Sequence, residues 1–414
     1  MFKKFRSPFV DLPREVAVIT AVSFFVALGF GLIIPAIPIF AKSFGVSNAA
    51  IGLVISMFAI TRLASGLVSG KFVERFGERT TLGAGLFMVA FFVFLTGLAR
   101  SYEQLLFLRA AGGLGSSMFS VASSSLVIRM TSDDQRGRAQ SVTTGGFLIG
   151  GIAGPAFGGA LIAFSPRAPF FIYSITLTIA GLVGLIFLAE NRGGKKPEPT
   201  HRVPATTIKE AFKIKAFRYA LIMTFLTSWI LFGVRSSILP LYVIQDLGGT
   251  TTIVGIGFTI GALAQGLILI RAGRFSDNAG RKRALSVGFI FIAAGISTLI
   301  LAQSRWLYLL AMVLLGIGGA YGNTGAALVG DVIKGRSGRV IAVFQMAGDA
   351  GMMVGPILLG FISDISTYRM ALIVSALAFS IALFVLLDLP ETRNFDDKEK
   401  KKSGSSPLLG EEPL

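Results

Sequence analysis

The chain lacks cysteine entirely and has one histidine and two tryptophans among its 414 residues. Without cysteine, disulfides and thiolate metal sites are excluded. The single histidine, His201, lies in a polar stretch, so the apolar segments cannot build a histidine-based triad or cluster. A phosphate-binding loop of the form Gly-x-x-x-x-Gly-Lys-Ser/Thr is also missing. We therefore expect no cofactor, no metal ion and no enzymatic activity.

Polar surface is scarce as well, because 53% of the residues are hydrophobic, 15% are charged, and the mean hydropathy is +0.73. Such a chain cannot coat a soluble body of this size, so it predicts a bilayer as solvent. About 20 apolar residues cross the roughly 30 Å of hydrocarbon. Twelve such runs lie near 16–38, 48–70, 80–99, 102–128, 139–163, 168–189, 218–244, 252–273, 284–302, 305–330, 340–363 and 368–389.

Basic residues outnumber acidic ones by 39 to 22, and the formal net charge is +17. Positive charge concentrates on the cytoplasmic side of membrane proteins. With both termini on one side, the basic residues elsewhere are Lys42, Arg100, Arg167, Arg305 and Arg369 on the other side, and Arg62, Arg109 and Arg235 inside spans. We therefore expect cytoplasmic termini, and the charge does not indicate nucleic acid as a partner.

One charged signature occurs twice, each time between two apolar runs. The first copy, at 70–79, is GKFVERFGER, and the second, at 273–282, is GRFSDNAGRK. Pro35 and Pro240 repeat at a similar separation, which indicates a tandem duplication. We expect an N-terminal six-helix bundle at 1–190, a cytoplasmic linker at 191–217 with a short amphipathic helix near 207–217, a C-terminal bundle at 218–389, and a disordered cytoplasmic tail at 390–414.

Spans 1 and 5 carry motifs rich in glycine and proline, GFGLIIPAIP at 29–38 and GGIAGPAFGG at 150–159. Small residues at a spacing of four allow close helix approach, and proline removes a backbone hydrogen bond. These motifs predict bendable interface helices. The helix-bending candidates are Pro35, Pro38, Gly154, Pro155, Gly355 and Pro356.

Apart from its tail, the chain resembles the major facilitator superfamily. The doubled signature is similar to the loop of that family between helices 2 and 3 and its echo between helices 8 and 9. The motifs of spans 1 and 5 resemble those of its twelve-helix drug:proton antiporters. The resemblance implies an all-α integral membrane fold with twelve transmembrane helices in two pseudo-symmetric six-helix bundles.

The resemblance also implies a cytoplasmic gate at the signature, where the acid of the first copy faces the start of span 11. Glu74 stands where the family usually has aspartate, and Glu78 where a basic residue is usual, so this latch is differently tuned. The alternative is that the charges only orient the loop. The gate candidates are Gly70, Glu74, Arg75, Gly77, Arg79, Asp277 and Arg281.

Proton coupling is expected at three residues. Arg109 in span 4 matches the arginine that the family associates with coupling; alternatively, it extends to the nearer membrane surface. Asp349 in span 11 is the deepest carboxylate, which makes it the proton carrier by elimination. In the family fold span 2 faces span 11, so Arg62 is its expected partner. We hypothesise that this pair forms when the cytoplasmic side closes and breaks when it opens; the alternative is a permanent structural ion pair.

A substrate cavity in this fold is lined mainly by spans 1, 4, 7 and 10. The candidate lining residues are Phe30, Phe119, Trp229, Arg235, Tyr242, Gln265, Tyr321 and Asn323. This mostly aromatic set suits amphiphilic organic molecules, although each aromatic side chain alone is as compatible with packing. Arg235 either binds an anionic group of a substrate or extends toward Gln245 and Asp246.

The expected function is proton-coupled export of small organic compounds by a monomer in the plasma membrane, with alternating access around a midplane site. The direction of transport rests on the resemblance. The expected partners are a small-molecule substrate, protons and the lipid bilayer. A proton-coupled importer of a metabolite such as an organic anion, and a non-transporting sensor or lipid-handling protein on the same fold, remain open.

Overall fold

The computed structural model describes residues 12–131, 133–188, 206–322, 324–333 and 338–392, and the regular secondary structure within these ranges is helical. His201, Asn323, most of the predicted linker and residues 393–414 of the predicted tail lie outside the described residues. The division of the chain into a linker and a tail therefore stays a prediction.

Among the described residues, twelve membrane spans follow one another if the bent pair in span 2 is counted as one. Spans 1 to 6 are Arg14–Lys42, Asn48–Ala64 with Gly66–Phe76, Glu78–Leu98, Tyr102–Met130, Asp133–Phe164 and Ala168–Phe187. Spans 7 to 12 are Lys215–Gln245, Thr251–Ala279, Arg281–Ile300, Arg305–Gly322 with Thr324–Val332, Gly338–Ile365 and Tyr368–Leu387. The prediction of twelve spans is confirmed. Several helices are longer than the apolar runs from which they were predicted.

The helix ends on the two faces of the membrane domain are built differently. On what we call the distal face, the side chains of Ser47, Ser101, Thr250 and Thr367 accept hydrogen bonds from backbone N–H groups in the first turns of spans 2, 4, 8 and 12. On the opposite, terminal face, the turns of the two signatures pass through glycine. Gly77 has φ 82° and Gly280 has φ 103°, backbone angles that residues other than glycine rarely adopt.

Close glycine contacts organise both bundles in the same way. A Cβ on Gly85 of span 3 would lie 2.7 Å from the Gly115 carbonyl oxygen of span 4, and one on Gly288 of span 9 would lie 3.1 Å from the Gly318 oxygen of span 10. The repeated contact supports the duplication read from the sequence.

Large apolar side chains cover the outer surface of the helices. Phe164 is 87% exposed, Leu387 75% and Phe384 74%. Apolar surface of this extent matches lipid rather than water. Preceding span 7, the short helix Ile208–Lys213 begins at Thr207 with a capping box to Glu210, in the region where a short helix was predicted.

Candidate functional site

The two bundles meet along two seams, where span 2 lies against span 11 and span 5 against span 8. The helix backbones approach closely at both seams. A Cβ on Gly52 would overlap the Pro356 carbonyl, and Cβ atoms on Gly159 and Gly255 would overlap each other's backbone. Because glycine removes the side chain at these points, polar groups of one bundle can reach the other directly.

Arg62 and Asp349 form a salt bridge across the seam between spans 2 and 11. Arg62 lies 14 residues after Asn48, about 21 Å along the helix at 1.5 Å per residue, which is past the middle of roughly 30 Å of hydrocarbon. The pair is thus nearer the terminal face, and the Ser56 hydroxyl donates to the Met353 carbonyl at 2.6 Å on its distal side. Span 2 then bends by 53° between its two helices, 48–64 and 68–76. The structure thus brings together the two residues that the sequence paired, and their role in coupling stays a prediction.

Three phenylalanines lie between the bundles beside the pair. Phe30 of span 1 packs against Phe58 of span 2 at 5.9 Å between ring centroids, and against Phe232 of span 7 at 6.4 Å. Met352 of span 11 packs with them. We call Phe30, Phe58, Phe232 and Met352 the aromatic cluster. It provides an apolar surface contributed by both bundles.

Arg109 is turned inward from span 4. Its guanidinium carbon lies 4.6 Å from the Phe58 ring centroid, and only 2% of the residue is exposed. The alternative of an arginine extending to the membrane surface therefore does not describe this structure. The Arg109 Nε is buried, and none of the described residues accepts a hydrogen bond from it.

Arg235 is the second buried arginine, and it lies in an unusual stretch of span 7. Residues Trp229–Ile238 form a π-helix between two α-helical segments. The Arg235 guanidinium carbon lies 5.3 Å from the Phe258 ring centroid, in the C-terminal bundle, and its Nε has no hydrogen-bond partner. The side chain thus contacts span 8, and the expected binding of a substrate's anionic group stays a prediction. π-Helical segments are rare in proteins, and those that occur often lie at functional sites.

The glycines of the span 5 motif pack against span 1 at regular intervals. Cβ atoms on Gly150, Gly154 and Gly158 would overlap the carbonyl oxygens of Phe24, Leu28 and Leu32, respectively. Both series advance by four residues, so the two helices run in contact over two turns. In the other half, a Cβ on Gly351 of span 11 would overlap the Phe225 carbonyl of span 7.

The prolines predicted to bend helices occupy different positions in the structure. Pro35 lies at the break between the two helices of span 1, and Pro38 lies within the second. Pro155 and Pro356 lie inside continuous helices, and Pro155 packs against Gly31. Gly355 approaches the Trp229 backbone, where a Cβ would lie 3.3 Å away.

The first signature connects span 3 to its own bundle. The Glu78 carboxylate pairs with Arg129 of span 4 at 3.0 Å, and Arg79 donates to the Leu185 carbonyl of span 6. Glu74 is exposed and forms no ion pair or hydrogen bond through its side chain with the described residues. The latch between Glu74 and the start of span 11 therefore stays a prediction, while Gly70 and Arg75 are placed on the same terminal-face helix.

The second signature holds the matching turn of the C-terminal bundle. Arg281 pairs with Asp277 at 2.6 Å and with Asp331 of span 10 at 2.9 Å. Glu78 and Arg281 are the first residues of spans 3 and 9, and Arg129 and Asp331 lie at the matching ends of spans 4 and 10. The same ion pair thus occurs in both halves with its charges exchanged. This accounts for an acid at position 78, where the family pattern has a base.

Comparisons with known proteins identify the family of this chain. The family model described as Major Facilitator Superfamily matches residues 19–245 and 221–412. The chain belongs to the Major Facilitator Superfamily. Multidrug resistance protein 1 of Bacillus subtilis (strain 168) is 26% identical over 373 residues, which are 89% of this chain and 94% of that protein. Multidrug resistance protein 2 of the same organism is 25% identical over 300 residues, 70% of this chain and 74% of that protein.

Solved structures show the same fold at low sequence identity. A bacterial homolog of the human lysosomal transporter Spinster, in an inward-facing and occupied conformation, superposes with a TM-score of 0.72. The match covers 97% of this chain and all of that chain at 15% identity. This chain is accordingly an all-α, multi-pass membrane transporter of the superfamily.

The predicted cavity residues of this superfamily member fall into two groups. Phe30 belongs to the aromatic cluster, and Gln265 of span 8 lies beside Gly319 of span 10. Trp229 and Tyr242 instead bond within the C-terminal bundle, to the Ser375 hydroxyl at 3.2 Å and to the Leu299 and Ala302 carbonyls.

The remaining predicted cavity residues also have packing contacts. Phe119 is 8% exposed and belongs to the core of the N-terminal bundle. Tyr321 packs against Phe275 with ring centroids 6.1 Å apart. Asn323 lies outside the described residues. The assignment of all eight residues to a substrate cavity therefore stays a prediction.

A hydrogen-bonded latch at the distal face was not predicted from the sequence. The two carboxylate oxygens of Asp364 in span 11 accept hydrogen bonds from the backbone N–H groups of Asn48 and Ala49, with N–O distances of 2.8 Å. These groups begin span 2, where a helix has unpaired donors and a positive dipole end. The Tyr368 hydroxyl is 3.0 Å from the Asn48 side-chain oxygen. An acid at the end of span 11 and a helix start in the other half were visible in the sequence, but their meeting was not.

We expect Asp364→Asn to open the distal face. The substitution removes the charge and one of two acceptor oxygens, which weakens the closed state by about 1 to 2 kcal/mol and raises the open population roughly five- to thirtyfold. Because the chain has no cysteine, Ala59→Cys in the seam, which is 1% exposed, reports opening through its labelling rate with a membrane-impermeant maleimide.

Glu103→Gln is the control for this measurement. Glu103 is an exposed carboxylate in the first turn of span 4 on the same face. Its substitution should leave labelling unchanged. Equal labelling rates in Asp364→Asn and the unsubstituted reporter would show that Asp364 does not hold the seam closed.

Proposed function

We propose that this chain is a proton-coupled exporter of small amphiphilic organic compounds, with Asp349 as the proton carrier and Arg62 as its counter-charge. The observation that carries the proposal is the ion pair that joins span 2 to span 11 across the two bundles. An acid–base pair at a moving seam allows one proton to change the interaction between the bundles. The names of the two multidrug resistance relatives support export of drugs.

In the proposed cycle, ionised Asp349 holds Arg62 and stabilises the seam in its present arrangement. Protonation of Asp349 removes the attraction and leaves Arg62 as an unpaired cation, which favours separation of the two spans. Substrate binds between the bundles at the aromatic cluster and crosses as the bundles rock by alternating access. No covalent chemistry is part of this cycle.

The proposal places the terminal face in the cytoplasm and the protein in the plasma membrane. It rests on the excess of basic residues on the side of the termini. We further propose a monomer, because each bundle seam is completed within one chain. Small organic solutes and protons are the proposed partners in transport.

The test is proton movement in liposomes that contain the purified protein and receive lipophilic cations, antibiotics or organic acids. We expect substrate-dependent proton flux in the direction opposite to substrate, and its loss in Asp349→Asn. Arg62→Gln should also uncouple substrate movement from the proton gradient. Glu103→Gln, which changes an exposed carboxylate in the first turn of span 4, should behave as wild type.

Two outcomes would contradict the proposal. If substrate flux in Asp349→Asn still responds to the proton gradient, Asp349 is not the carrier and the pair is structural. If protons and substrate move in the same direction, the protein is an importer.

A further inference from the structure

The two buried arginines leave the interior of the transporter with uncompensated positive charge. Among the described residues, Arg109 and Arg235 are the charged residues that are buried, whereas the side chains of Arg62 and Asp349 are partly exposed. Arg62 and Asp349 neutralise each other. Within the described ranges, neither Arg109 nor Arg235 has a carboxylate partner or donates a hydrogen bond to the protein. A cation inside a membrane is costly unless an anion or water meets it.

Arg235 is distinguished from Arg109 by its backbone. It lies near the end of the π-helical segment Trp229–Ile238, whose irregular pairing includes a bond from the Ser236 hydroxyl to the Leu231 carbonyl at 2.7 Å. The same segment contributes Phe232 to the aromatic cluster between the bundles. Arg235 is 8% exposed. The segment therefore carries an aromatic side chain at the seam and, three residues further along, a buried guanidinium group that lies over the Phe258 ring of span 8.

We propose that Arg235 is the anion-binding residue of the substrate site, and that the transported compounds are amphiphilic aromatic acids. The proposal rests on the proposed export function and specifies its substrate class. The acidic group of the ligand pairs with the Arg235 guanidinium, and its aromatic body packs against the aromatic cluster. Guanidinium groups recognise carboxylates and related anions through paired N–H donors. With no unpaired carboxylate among the deep groups of the described spans, an organic cation has no counter-charge there.

The test measures binding of three compounds that share one aromatic body: naphthaleneacetate, naphthaleneacetamide and naphthylethylamine. Calorimetry on the purified full chain should show that wild type binds the acid at least about tenfold more tightly than the neutral amide or the amine. This comparison needs no variant, so it does not depend on whether a substitution folds. Tighter binding of the amine, or no binding of the acid at millimolar concentration, would overturn the proposal.

Variants then assign the residue. Arg235→Gln should lower the affinity for naphthaleneacetate at least about tenfold and change the affinity for naphthaleneacetamide by no more than about twofold. Arg235→Lys should restore part of the affinity for naphthaleneacetate. An acid affinity that persists in Arg235→Gln but falls in Arg109→Gln would overturn the assignment to Arg235.

These measurements distinguish a failure of the anion-site proposal from a failure of the exporter proposal. If the acid binds through Arg235 but no compound moves protons in liposomes, the anion site stands and the exporter proposal falls. If only amines drive proton flux and the acid does not bind, the exporter stands and the anion site falls.

Discussion

Gly154→Val is expected to prevent span 5 from packing against span 1 and to abolish the yield of folded protein. Any Cβ at this position overlaps the Leu28 carbonyl oxygen and lies 2.6 Å from the Gly31 Cα. Both are backbone atoms, so no side chain can move aside to make room. Overpacking of this kind costs about 3 kcal/mol or more. The measurement is the monodisperse fraction in detergent, together with the melting temperature of any protein recovered.

Gly151→Val is the matched control. Gly151 lies in the same helix, three residues earlier, and a Cβ there meets no atom within 4 Å. The same change of residue therefore alters helix propensity and side-chain volume without the backbone overlap. We expect near wild-type yield from this variant. If both variants fold equally well, the close contact of spans 1 and 5 is not needed for the fold.

Reversing Glu78 to arginine should destabilise the N-terminal bundle, and a second reversal should repair it. Glu78→Arg places a cation beside Arg129, now 3.0 Å from the Glu78 carboxylate. The Glu78 side chain is 11% exposed and that of Arg129 30%, so water screens the repulsion only in part. We expect a loss of about 3 kcal/mol, measured as a lower melting temperature of the purified protein.

The double variant Glu78→Arg with Arg129→Asp reproduces the polarity of Arg281 and Asp331 in the other half. It should recover most of the lost stability, because the pair is then complete again. Lys71→Glu, at an exposed position of the same signature, controls for a change in net charge and should have little effect. If the double variant is no more stable than Glu78→Arg alone, the exchanged pair is not a direct interaction.

Some interactions of the site could be predicted because they follow from local patterns. Asp349 is the deepest carboxylate in the sequence, and the resemblance to the family implied that span 2 faces span 11, so Arg62 was the expected partner. The spacing of Gly150, Gly154 and Gly158 predicted close approach of a helix. The spacing did not identify span 1 as the neighbouring helix, because it describes only one face of span 5.

Other interactions could not be predicted because they join residues far apart in the chain. Asp364 meets Asn48 across 316 positions, and that contact depends on the relative tilt and height of two helices. The exchange of charge between Glu78 and Arg281 looked like a departure from a family pattern. Only the position of Arg129 at the end of span 4 showed it to be compensated.

The sequence by itself determined the membrane as solvent, the twelve spans and the duplication, because hydropathy and repeats are properties of short segments. The tertiary structure decided which polar groups meet across the seams. It also decided that Arg109 and Arg235 turn inward onto aromatic rings, with no carboxylate partner among the described residues, and that a π-helix forms in span 7. These outcomes depend on how twelve helices pack together, since each contact is set by the position of a neighbour that the local sequence does not encode.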